Sequence, residues 1–238
     1  MVKEVYGTFG MKFTAKLSTM PDDHAGEKEQ WDIATAALRR ALEANGMAYE
    51  IKEKEGAFYG PKIDFDVVDA QGRVWQCATA QLDYQMPRSF GLEYTGEDGR
   101  QHMPIMIHRA MLGSMERFIG VMVEHYQGKF PTWLSPVQVK VISISEQASG
   151  YAEEVYKELR KARLRAKVDI SDKTMAYKLR EAIEDKVPYI VVLGGREAES
   201  KKITVRARSG AQKQGVELKE FIANIKDEIS ERKAGQLF

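Results

Sequence analysis

The sequence predicts an α/β protein in two parts, an antiparallel α+β part over residues 1–135 and a three-layer α/β part over residues 136–238. In the first part, hairpin-like turns join the strands, which is typical of antiparallel sheets. In the second part, strands alternate with helices, which favours βαβ units and a mainly parallel sheet covered by helices. Between the parts, Phe130-Pro131 and Ser135-Pro136 bracket three residues, and two prolines this close discourage a continuous helix.

The first part contains two predicted helices and four predicted strands. One helix is predicted over Trp31–Asn45 and ends at Gly46, a residue typical of helix C-termini. A second helix is predicted from about Ala110 to Tyr126. Ala70-Gln-Gly72 and Glu97-Asp-Gly99 are turn signals. The strands are predicted over Tyr49–Glu53, Lys62–Val68, Val74–Leu82 and Ile105–His108.

The second part alternates strands and helices along its length. Tyr151, Val155 and Leu159 recur at helical spacing. Gly194-Gly195 follows a buried strand, and Ser209-Gly210 turns the chain after another. The predicted order is a strand over Val137–Ile144, a helix over Ser149–Lys161, a strand over Ala166–Ile170, a helix over Thr174–Lys186, strands over Tyr189–Leu193 and Lys202–Arg208, and a helix over Glu217–Arg232.

Composition predicts a soluble cytoplasmic protein. The only cysteine, Cys77, excludes an internal disulfide and a cysteine-cluster zinc site. No stretch resembles a signal peptide or reaches the length of a membrane span. Residues 1–135 carry 15 basic and 19 acidic residues, and residues 136–238 carry 21 and 16, within a net charge of +1. The basic second part favours a partner with a phosphate backbone.

The stretch from His108 to Phe118 predicts a strand that leads into a helix, because it follows the apolar run Met103–Ile107. Ser114 and Arg117 lie at the helical end, and a helix is a rigid mount for a functional side chain. The Arg117 guanidinium always carries its charge and forks onto phosphate oxygens. The alternative interpretation is that Arg117 pairs with Glu116 or another surface acid.

Polar side chains also recur on the strand predicted over Val74–Leu82. Thr79 and Gln81 are two residues apart, so they point to the same side of a strand. Gln76 and Thr79 are three residues apart and share a face only if the alternation bends. Such groups are candidates for ligand binding, and the alternative is a hydrogen bond to a neighbouring turn.

Four long motifs of this chain occur together, and in the same order, in one family. They are His108–Phe118, Gly56–Phe65 (GAFYGPKIDF), Trp75–Asp83 (WQCATAQLD) and Phe130–Gln138 (FPTWLSPVQ). The first resembles motif 3 of class II aminoacyl-tRNA synthetases, and the other three resemble the GAFYGPKI, QCGTxQLD and FPTWLAPVQ segments of threonyl-tRNA synthetases. Val5–Gly10 and Lys16–Thr19 also fit, so the resemblance extends from about Val5 to the end of the chain.

The resemblance implies that the chain is the C-terminal portion of a threonine–tRNA ligase, which charges threonine onto its tRNA with ATP and Mg²⁺. Adenylate formation requires Arg, Lys and Mg²⁺ to neutralise negative charge around the α-phosphorus. Ala78 stands where the family usually has Gly, and its methyl could crowd a ligand close to the backbone. The implied catalytic residues are Lys62, Gln81 and Arg117, and the implied substrate- and ATP-binding residues are Tyr59, Gln76, Thr79, Gln81, Ser114 and Arg117.

His108 matches one of three protein ligands to a zinc ion in the family. The other two ligands, a Cys and a His, precede the segment that this chain matches. Cys77 and His24 do not match them by position. Zinc needs about three protein ligands in such a site, so the prediction for this chain in isolation is a His108 side chain hydrogen-bonded in a pocket.

The resemblance extends to an anticodon-binding domain over residues 136–238. An anticodon is single-stranded, so its bases can be stacked and read on their edges. Asp172 replaces the family's usual Asn and loses an amide donor, while Lys186 replaces the usual Arg and loses its fork geometry. The implied anticodon-binding residues are Asp172, Arg180, Lys186, Glu197 and Arg206.

The family also has two motifs that precede the matching segment, motif 1 for dimerisation and motif 2 with an arginine for the α-phosphate. We therefore expect this chain alone not to make threonyl adenylate, and its homodimer contact to be missing. The implied partners are threonine tRNA, threonine and ATP, with no membrane and no DNA. The alternative function is a non-catalytic tRNA-binding or regulatory protein that uses the anticodon-binding domain.

Overall fold

The structure is a computed structural model that describes residues 1–233. Residues 234–238, at the end of the predicted second part, lie outside the described residues. The chain divides into two compact units, unit 1 over Met1–His125 and unit 2 beginning at Tyr126. Within residues 1–233, no helix is long and apolar enough to cross a membrane.

Unit 1 is a mixed α/β unit built around one five-stranded sheet. Its elements are α1 (Val2–Thr8), β1 (Phe13–Ser18), α2 (Lys28–Ala44), β2 (Tyr49–Lys52), β3 (Lys62–Val68), β4 (Val74–Asp83), α3 (Gln85–Ser89), β5 (Tyr94–Thr95), β6 (Gln101–His102), β7 (Met106–Ala110) and α4 (Met115–His125). The strand order is β2-β1-β3-β4-β7, and β5 pairs with β6 in a separate hairpin. All pairs in the large sheet are antiparallel except β1 with β2.

The two faces of β3 explain how unit 1 separates its core from its polar surface. Successive side chains of a strand point to opposite faces. Ile63, Phe65 and Val67 are buried in the core beside apolar residues of α1, α2 and α4. Lys62 and Asp64 alternate with them and so point to the other face. The polar groups of β3 therefore lie on the side of the sheet away from the apolar core.

The helix predicted from Ala110 is corrected by the structure. Ala110 is the last residue of β7 and pairs with Thr79 of β4. Gly113 follows with a φ of 64°, which a continuing helix does not permit. The helix α4 therefore begins at Met115. The helix α1 and strand β1 were not predicted as such from the sequence.

Unit 2 is an α/β unit with a five-stranded sheet in the order β12-β11-β10-β8-β9. The strands β8, β9 and β10 are parallel, whereas β11 and β12 are antiparallel to their neighbours. The expected mainly parallel sheet is therefore half antiparallel. Its elements are β8 (Val139–Ser143), α5 (Ser149–Lys161), β9 (Ala166–Asp169), α6 (Met175–Glu184), β10 (Tyr189–Leu193), α7 (Gly195–Ser200), β11 (Ile203–Ala207), β12 (Gln212–Val216) and α8 (Leu218–Ser230).

Helices cover both faces of the unit 2 sheet, as a three-layer arrangement requires. On one face, Val155 of α5 and Phe221 of α8 join the main core with Val191 of β10. On the other face, Ala182 of α6 packs with Ile190 of β10. The carboxyl ends of the parallel strands β8, β9 and β10 meet at one edge, which is where α/β sheets commonly bind ligands.

Candidate functional site

The polar face of unit 1 forms an open groove of about 510 Å³. Its floor consists of strands β3, β4 and β7, so rigid elements position most of its side chains. Most of the residues that line the groove are predicted site residues, and the alanines among the others leave room for a ligand. The groove is lined by Ala57, Tyr59, Lys62, Gln76, Thr79, Gln81, His108, Arg109 and Ala110.

A β-bulge in β4 brings Gln76 and Thr79 to the same face. In the register of β3 with β4, Asp64 faces Thr79 and Asp66 faces Gln76, so the extra residue on β4 is Cys77. One unpaired residue restores the side-chain alternation that an odd spacing breaks. The Gln76 Nε2 accordingly donates a hydrogen bond to the Thr79 Oγ1 at 2.9 Å. The alternation of β4 is therefore interrupted, as the three-residue spacing of Gln76 and Thr79 requires if both are to lie on one face.

Asp64 is the hub of the polar groups in the groove. Its Oδ1 accepts hydrogen bonds from the Gln76 Nε2 at 2.6 Å and from the Thr79 Oγ1 at 2.9 Å. Its Oδ2 pairs with the Lys62 Nζ at 2.7 Å. One buried carboxylate thus connects three of the predicted site residues.

Tyr59 and Gln81 form a second polar contact in the groove. The Tyr59 hydroxyl donates to the Gln81 Oε1 at 3.0 Å, and the Gln81 Nε2 donates to the Gly60 carbonyl at 3.3 Å. The Tyr59 ring also contacts the His108 ring edge to face, with centroids 6.0 Å apart. In the sheet, Gln81 of β4 lies opposite Lys62 of β3 on one side and opposite His108 of β7 on the other. These contacts fix the orientation of the Tyr59 ring.

Arg117 extends from α4 toward β4. Its Nη1 donates to the Gln76 carbonyl at 3.1 Å, and its guanidinium lies 5.8 Å from the centre of the Trp75 ring. The Ser114 Oγ accepts from the Arg117 backbone N–H at 3.2 Å, which caps the start of the helix. Among residues 1–233 no carboxylate forms a salt bridge with Arg117, so the predicted alternative with Glu116 is not observed.

His108 is hydrogen-bonded to a buried carboxylate, as the sequence predicted for this chain in isolation. Its Nε2 lies 2.7 Å from the Asp83 Oδ2. Burial raises the pKa of Asp83, but hydrogen bonds from His108 and from the Gln85 and Met86 amides outweigh it, so that pKa lies below its usual value.

The residues around His108 do not fit a zinc site by themselves. Zinc takes three or four protein ligands, whereas among residues 1–233 His108 is accompanied by one carboxylate, that of Asp83. Across residues 1–233, no group of three or more His, Cys, Asp or Glu side chains is placed to hold a metal ion.

In unit 2, the carboxyl edge of the parallel strands carries a cavity of about 500 Å³. Exposed Asp172 lines it, beside apolar Ile144 and Ile170. Buried Lys178 lies below, and its Nζ donates to the Ser143 carbonyl at 2.9 Å. Most residues that line the cavity are polar or charged, and the two isoleucines add apolar surface.

Glu197 of α7 contacts the face of β11 to which Arg206 points. The Glu197 Oε1 accepts from the Thr204 hydroxyl at 2.8 Å, and its Oε2 accepts from the Gly194 amide at 3.0 Å. Burial raises the pKa of Glu197, but these hydrogen bonds outweigh it and hold that pKa below its usual value. Arg206 lies two residues beyond Thr204 and therefore points to the same face.

The structure does not gather all five predicted anticodon residues at one place. Arg180 lies on the exposed side of α6 and pairs with Glu184 at 2.7 Å. Lys186 lies beyond the end of α6, at the opposite edge of the sheet from Asp172, and its Nζ donates to the Gln127 carbonyl at 3.0 Å.

Three residues in or beside the unit 1 groove were not predicted from the sequence as site residues. Asp64 lies two residues after Lys62, and Asp83 lies two residues after Gln81, so strand alternation places each on the same face as a predicted residue. Arg109 follows His108 and lines the groove. Alternation could have identified the two carboxylates, whereas nothing in the spacing singled out Arg109.

Comparison with known proteins assigns both units to families. Residues 1–126 match the family model of the tRNA synthetase class II core domain (G, H, P, S and T). Residues 138–228 match the family model of the anticodon binding domain. The chain belongs to the class II tRNA synthetase family, with an anticodon-binding domain after the core.

The chain is similar to threonine–tRNA ligases in particular. It is 46% identical over 233 residues to that of Thermotoga petrophila, and 48% identical over 233 residues to that of Thermotoga neapolitana. Each match covers 98% of this chain and 36% of the relative, so the chain spans about a third of their length. It also resembles a structure of the RNA binding domain of threonyl-tRNA synthetase from Cryptosporidium parvum, with a TM-score of 0.87, 41% identity, and coverage of 95% of this chain and 57% of that chain.

Proposed function

We propose that this chain is part of a threonine–tRNA ligase, in which unit 1 supplies one wall of the adenylate-forming site and unit 2 binds the anticodon of threonine tRNA. The observation that carries the proposal is the groove of unit 1. Lys62, Gln76, Thr79 and Gln81 lie on one rigid sheet face there, and Tyr59 of the loop before β3 lies beside them. The matches to threonine–tRNA ligases support this choice of amino acid and tRNA. Such an enzyme works in the cytoplasm with the translation machinery.

The groove has the chemistry that adenylate formation needs. The threonine carboxylate attacks the α-phosphorus of ATP, a bond forms between them, and pyrophosphate leaves with the electrons of the broken P–O bond. Cations stabilise the negative charge that develops on the phosphate oxygens. Lys62 and Arg117 are the chain's candidates for that task, and Mg²⁺ accompanies the ATP. Tyr59 and Gln81 bind and orient the amino acid beside them.

In this proposal His108 acts as a groove residue that contacts Tyr59 and is held by Asp83. No step is assigned to zinc, because unit 1 offers too few ligands for it. The proposal also includes Ser114, which positions Arg117 through the start of α4.

Unit 2 supplies the tRNA contacts in this proposal. Asp172 at the rim of the cavity, and Glu197 and Arg206 on the face of β11, offer hydrogen-bonding groups to unpaired bases. Arg180 and Lys186 lie outside these two places and are proposed as backbone contacts. The non-catalytic alternative has no observation in its favour, because a protein that only binds tRNA has no use for the polar groove of unit 1.

The proposal is tested with a chimera in which this chain replaces the matching part of the Thermotoga petrophila threonine–tRNA ligase. Threonine-dependent ATP–pyrophosphate exchange measures adenylate formation. We expect the chimera to exchange with threonine and to exchange far less with valine, which lacks the hydroxyl group. A folded chimera without threonine-dependent exchange would show that the groove does not serve this reaction.

A further inference from the structure

Asp64 lies beneath the groove and is almost fully buried, with 7% of its surface exposed. Three residues of the groove wall meet on its two oxygens. Gln76 and Thr79 share the Oδ1, and Lys62 pairs with the Oδ2. A buried carboxylate requires such partners, because an unpaired buried charge is costly.

The carboxylate fixes which atoms its partners turn toward the groove. An ionised carboxylate only accepts hydrogen bonds, so the nitrogen of the Gln76 amide must face it. The same Nε2 also donates to the Thr79 Oγ1 at 2.9 Å. Both N–H groups of exposed Gln76 are therefore directed inward, and its Oε1 is the atom that remains for a ligand. The Thr79 hydroxyl donates its only proton in a hydrogen bond to Asp64.

We propose that Asp64 is a positioning residue that makes Gln76 and Thr79 hydrogen-bond acceptors toward the ligand. Acceptors recognise a group that donates, which in the proposed reaction is the ammonium of the amino acid or the exocyclic amine of the adenine. Asp64 also holds the Lys62 ammonium beside those acceptors, where it attracts an anionic group of the same substrates. This inference rests on the proposed function for its ligand but not for its geometry.

Replacing Asp64 by Asn reverses the polarity at the hub. Asn at position 64 has one acceptor oxygen and one nitrogen with two N–H donors. Because the Lys62 ammonium carries a charge and only donates, we expect the Asn oxygen to face Lys62 and the Asn N–H groups to face Gln76 and Thr79. The Gln76 amide then turns its oxygen inward and presents N–H groups to the ligand. Asp66→Asn is the matched control, since Asp66 lies on the same strand, is buried and pairs with Lys16 at 2.6 Å.

The polarity is measured first on the full chain by NMR. In the unchanged chain, we expect a through-hydrogen-bond coupling between the Gln76 Nε2 and the Asp64 carboxyl carbon, and slow exchange of the Gln76 amide protons. Asp66→Asn should retain both signals, and Asp64→Asn should lose them. Absence of the coupling in the unchanged chain, or a coupling and slow amide exchange that both persist in Asp64→Asn, would overturn the proposal.

The consequence for the ligand is measured in the chimeric ligase. Asp64→Asn should raise the KM for one substrate by about 10- to 100-fold, the effect of turning a donor against a donor. A rise for threonine places the amino acid at these groups, and a rise for ATP places the nucleotide there. Unchanged KM values in an active Asp64→Asn chimera would overturn the proposal. An inactive parent chimera would instead refute the proposed function and leave the NMR result to decide the role of Asp64.

Discussion

Arg117 is held against β4 by two different contacts. Its Nη1 donates to the Gln76 carbonyl, and the Trp75 ring lies against its guanidinium. Neither contact neutralises the charge of the guanidinium. The hydrogen bond to Gln76 uses one of its five N–H donors, so four remain for a ligand. The side chain is exposed, so an anionic ligand can reach it.

We therefore predict that Arg117→Lys harms the chimeric ligase almost as much as Arg117→Ala does. An ammonium cannot fork across two phosphate oxygens as a guanidinium does. Loss of a contact that strengthens in the transition state costs roughly 2–4 kcal/mol, or about 30- to 1,000-fold in adenylation. The measurement is the rate of threonine-dependent ATP–pyrophosphate exchange.

Arg73→Lys is the matched control for this prediction. Arg73 lies 5.5 Å from the centre of the same Trp75 ring, but its guanidinium bonds to Asp69 and Glu124 rather than facing the groove. We expect this variant to keep its exchange rate. Parent-like exchange in Arg117→Ala would make Arg117 a surface residue without a role in adenylation.

The residues of the groove could be predicted only in part from their spacing. Thr79 and Gln81 follow simple alternation, and both line the groove. Gln76 depends on the bulge at Cys77, and a bulge has no local signature in this strand because it arises from pairing with β3. The role of Asp64 depends on side chains that are far apart in the sequence, so the pattern of β3 alone could not assign it.

Among the elements, the turn between β3 and β4 is built around Asp69. Its carboxylate accepts hydrogen bonds from the Trp75 Nε1, the Arg73 Nε and the amides of Gln71 and Arg73. Burial raises the pKa of Asp69, but these hydrogen bonds outweigh it and hold that pKa well below its usual range.

This depressed pKa predicts a pH-dependent contribution to the stability of unit 1. A carboxyl group with a lowered folded-state pKa stabilises the fold above its unfolded pKa, which is about 4, and loses that effect as the pH falls toward the folded value. Asp69→Asn should therefore lower the melting temperature at pH 7, and the difference from the unchanged chain should shrink below about pH 4. A constant difference between pH 7 and pH 3 would contradict this account of the turn.

The loop before β3 needs a glycine at position 60. A Cβ on Gly60 would clash with the Leu82 carbonyl oxygen, so the backbone of the loop or of β4 would have to move. Gly60→Ala should destabilise unit 1 by about 1–3 kcal/mol, as overpacking does, and should weaken the Gln81 contact to the Gly60 carbonyl.

Gly120→Ala is the control, because Gly120 lies within α4 and a Cβ there meets no atom within 4 Å. Alanine favours helix over glycine by up to about 1 kcal/mol, so this variant should melt at or above the parent temperature. Thermal melting of both variants tests whether a Cβ at position 60 destabilises unit 1. Equal melting of Gly60→Ala and the parent chain would show that the loop adapts without strain.

Elements with strong periodicity were predictable, and short or locally ambiguous ones were not. The helix Ser149–Lys161 and the strand Tyr189–Leu193 have the predicted bounds, because buried apolar residues mark their full lengths. The strand β12 carries four exposed residues and one buried one, so it lacks the apolar alternation that identifies a strand. Tertiary pairing with β11 creates it.

At the scale of the whole molecule, unit 2 has a core of its own. Its buried cluster draws on β8, β10, β11, α5 and α8 and contains only residues of unit 2. We predict that a fragment beginning at Tyr126 folds cooperatively and binds threonine tRNA. Its affinity should fall as salt rises, because each neutralised phosphate releases counterions. Circular dichroism melting and filter binding test the two parts, and equal affinity for a tRNA with a scrambled anticodon would reduce the binding to non-specific attraction.

We propose that the groove of unit 1 and the anticodon-binding domain of unit 2 serve one reaction, the charging of threonine onto its tRNA. The most direct measurement is the formation of threonyl-tRNA by the chimera that carries this chain in place of the matching part of the Thermotoga petrophila enzyme. We expect charging that depends on threonine and ATP and that falls when either Arg117 or Arg206 is replaced by Ala. A folded chimera that binds threonine tRNA but forms no threonyl-tRNA would contradict it.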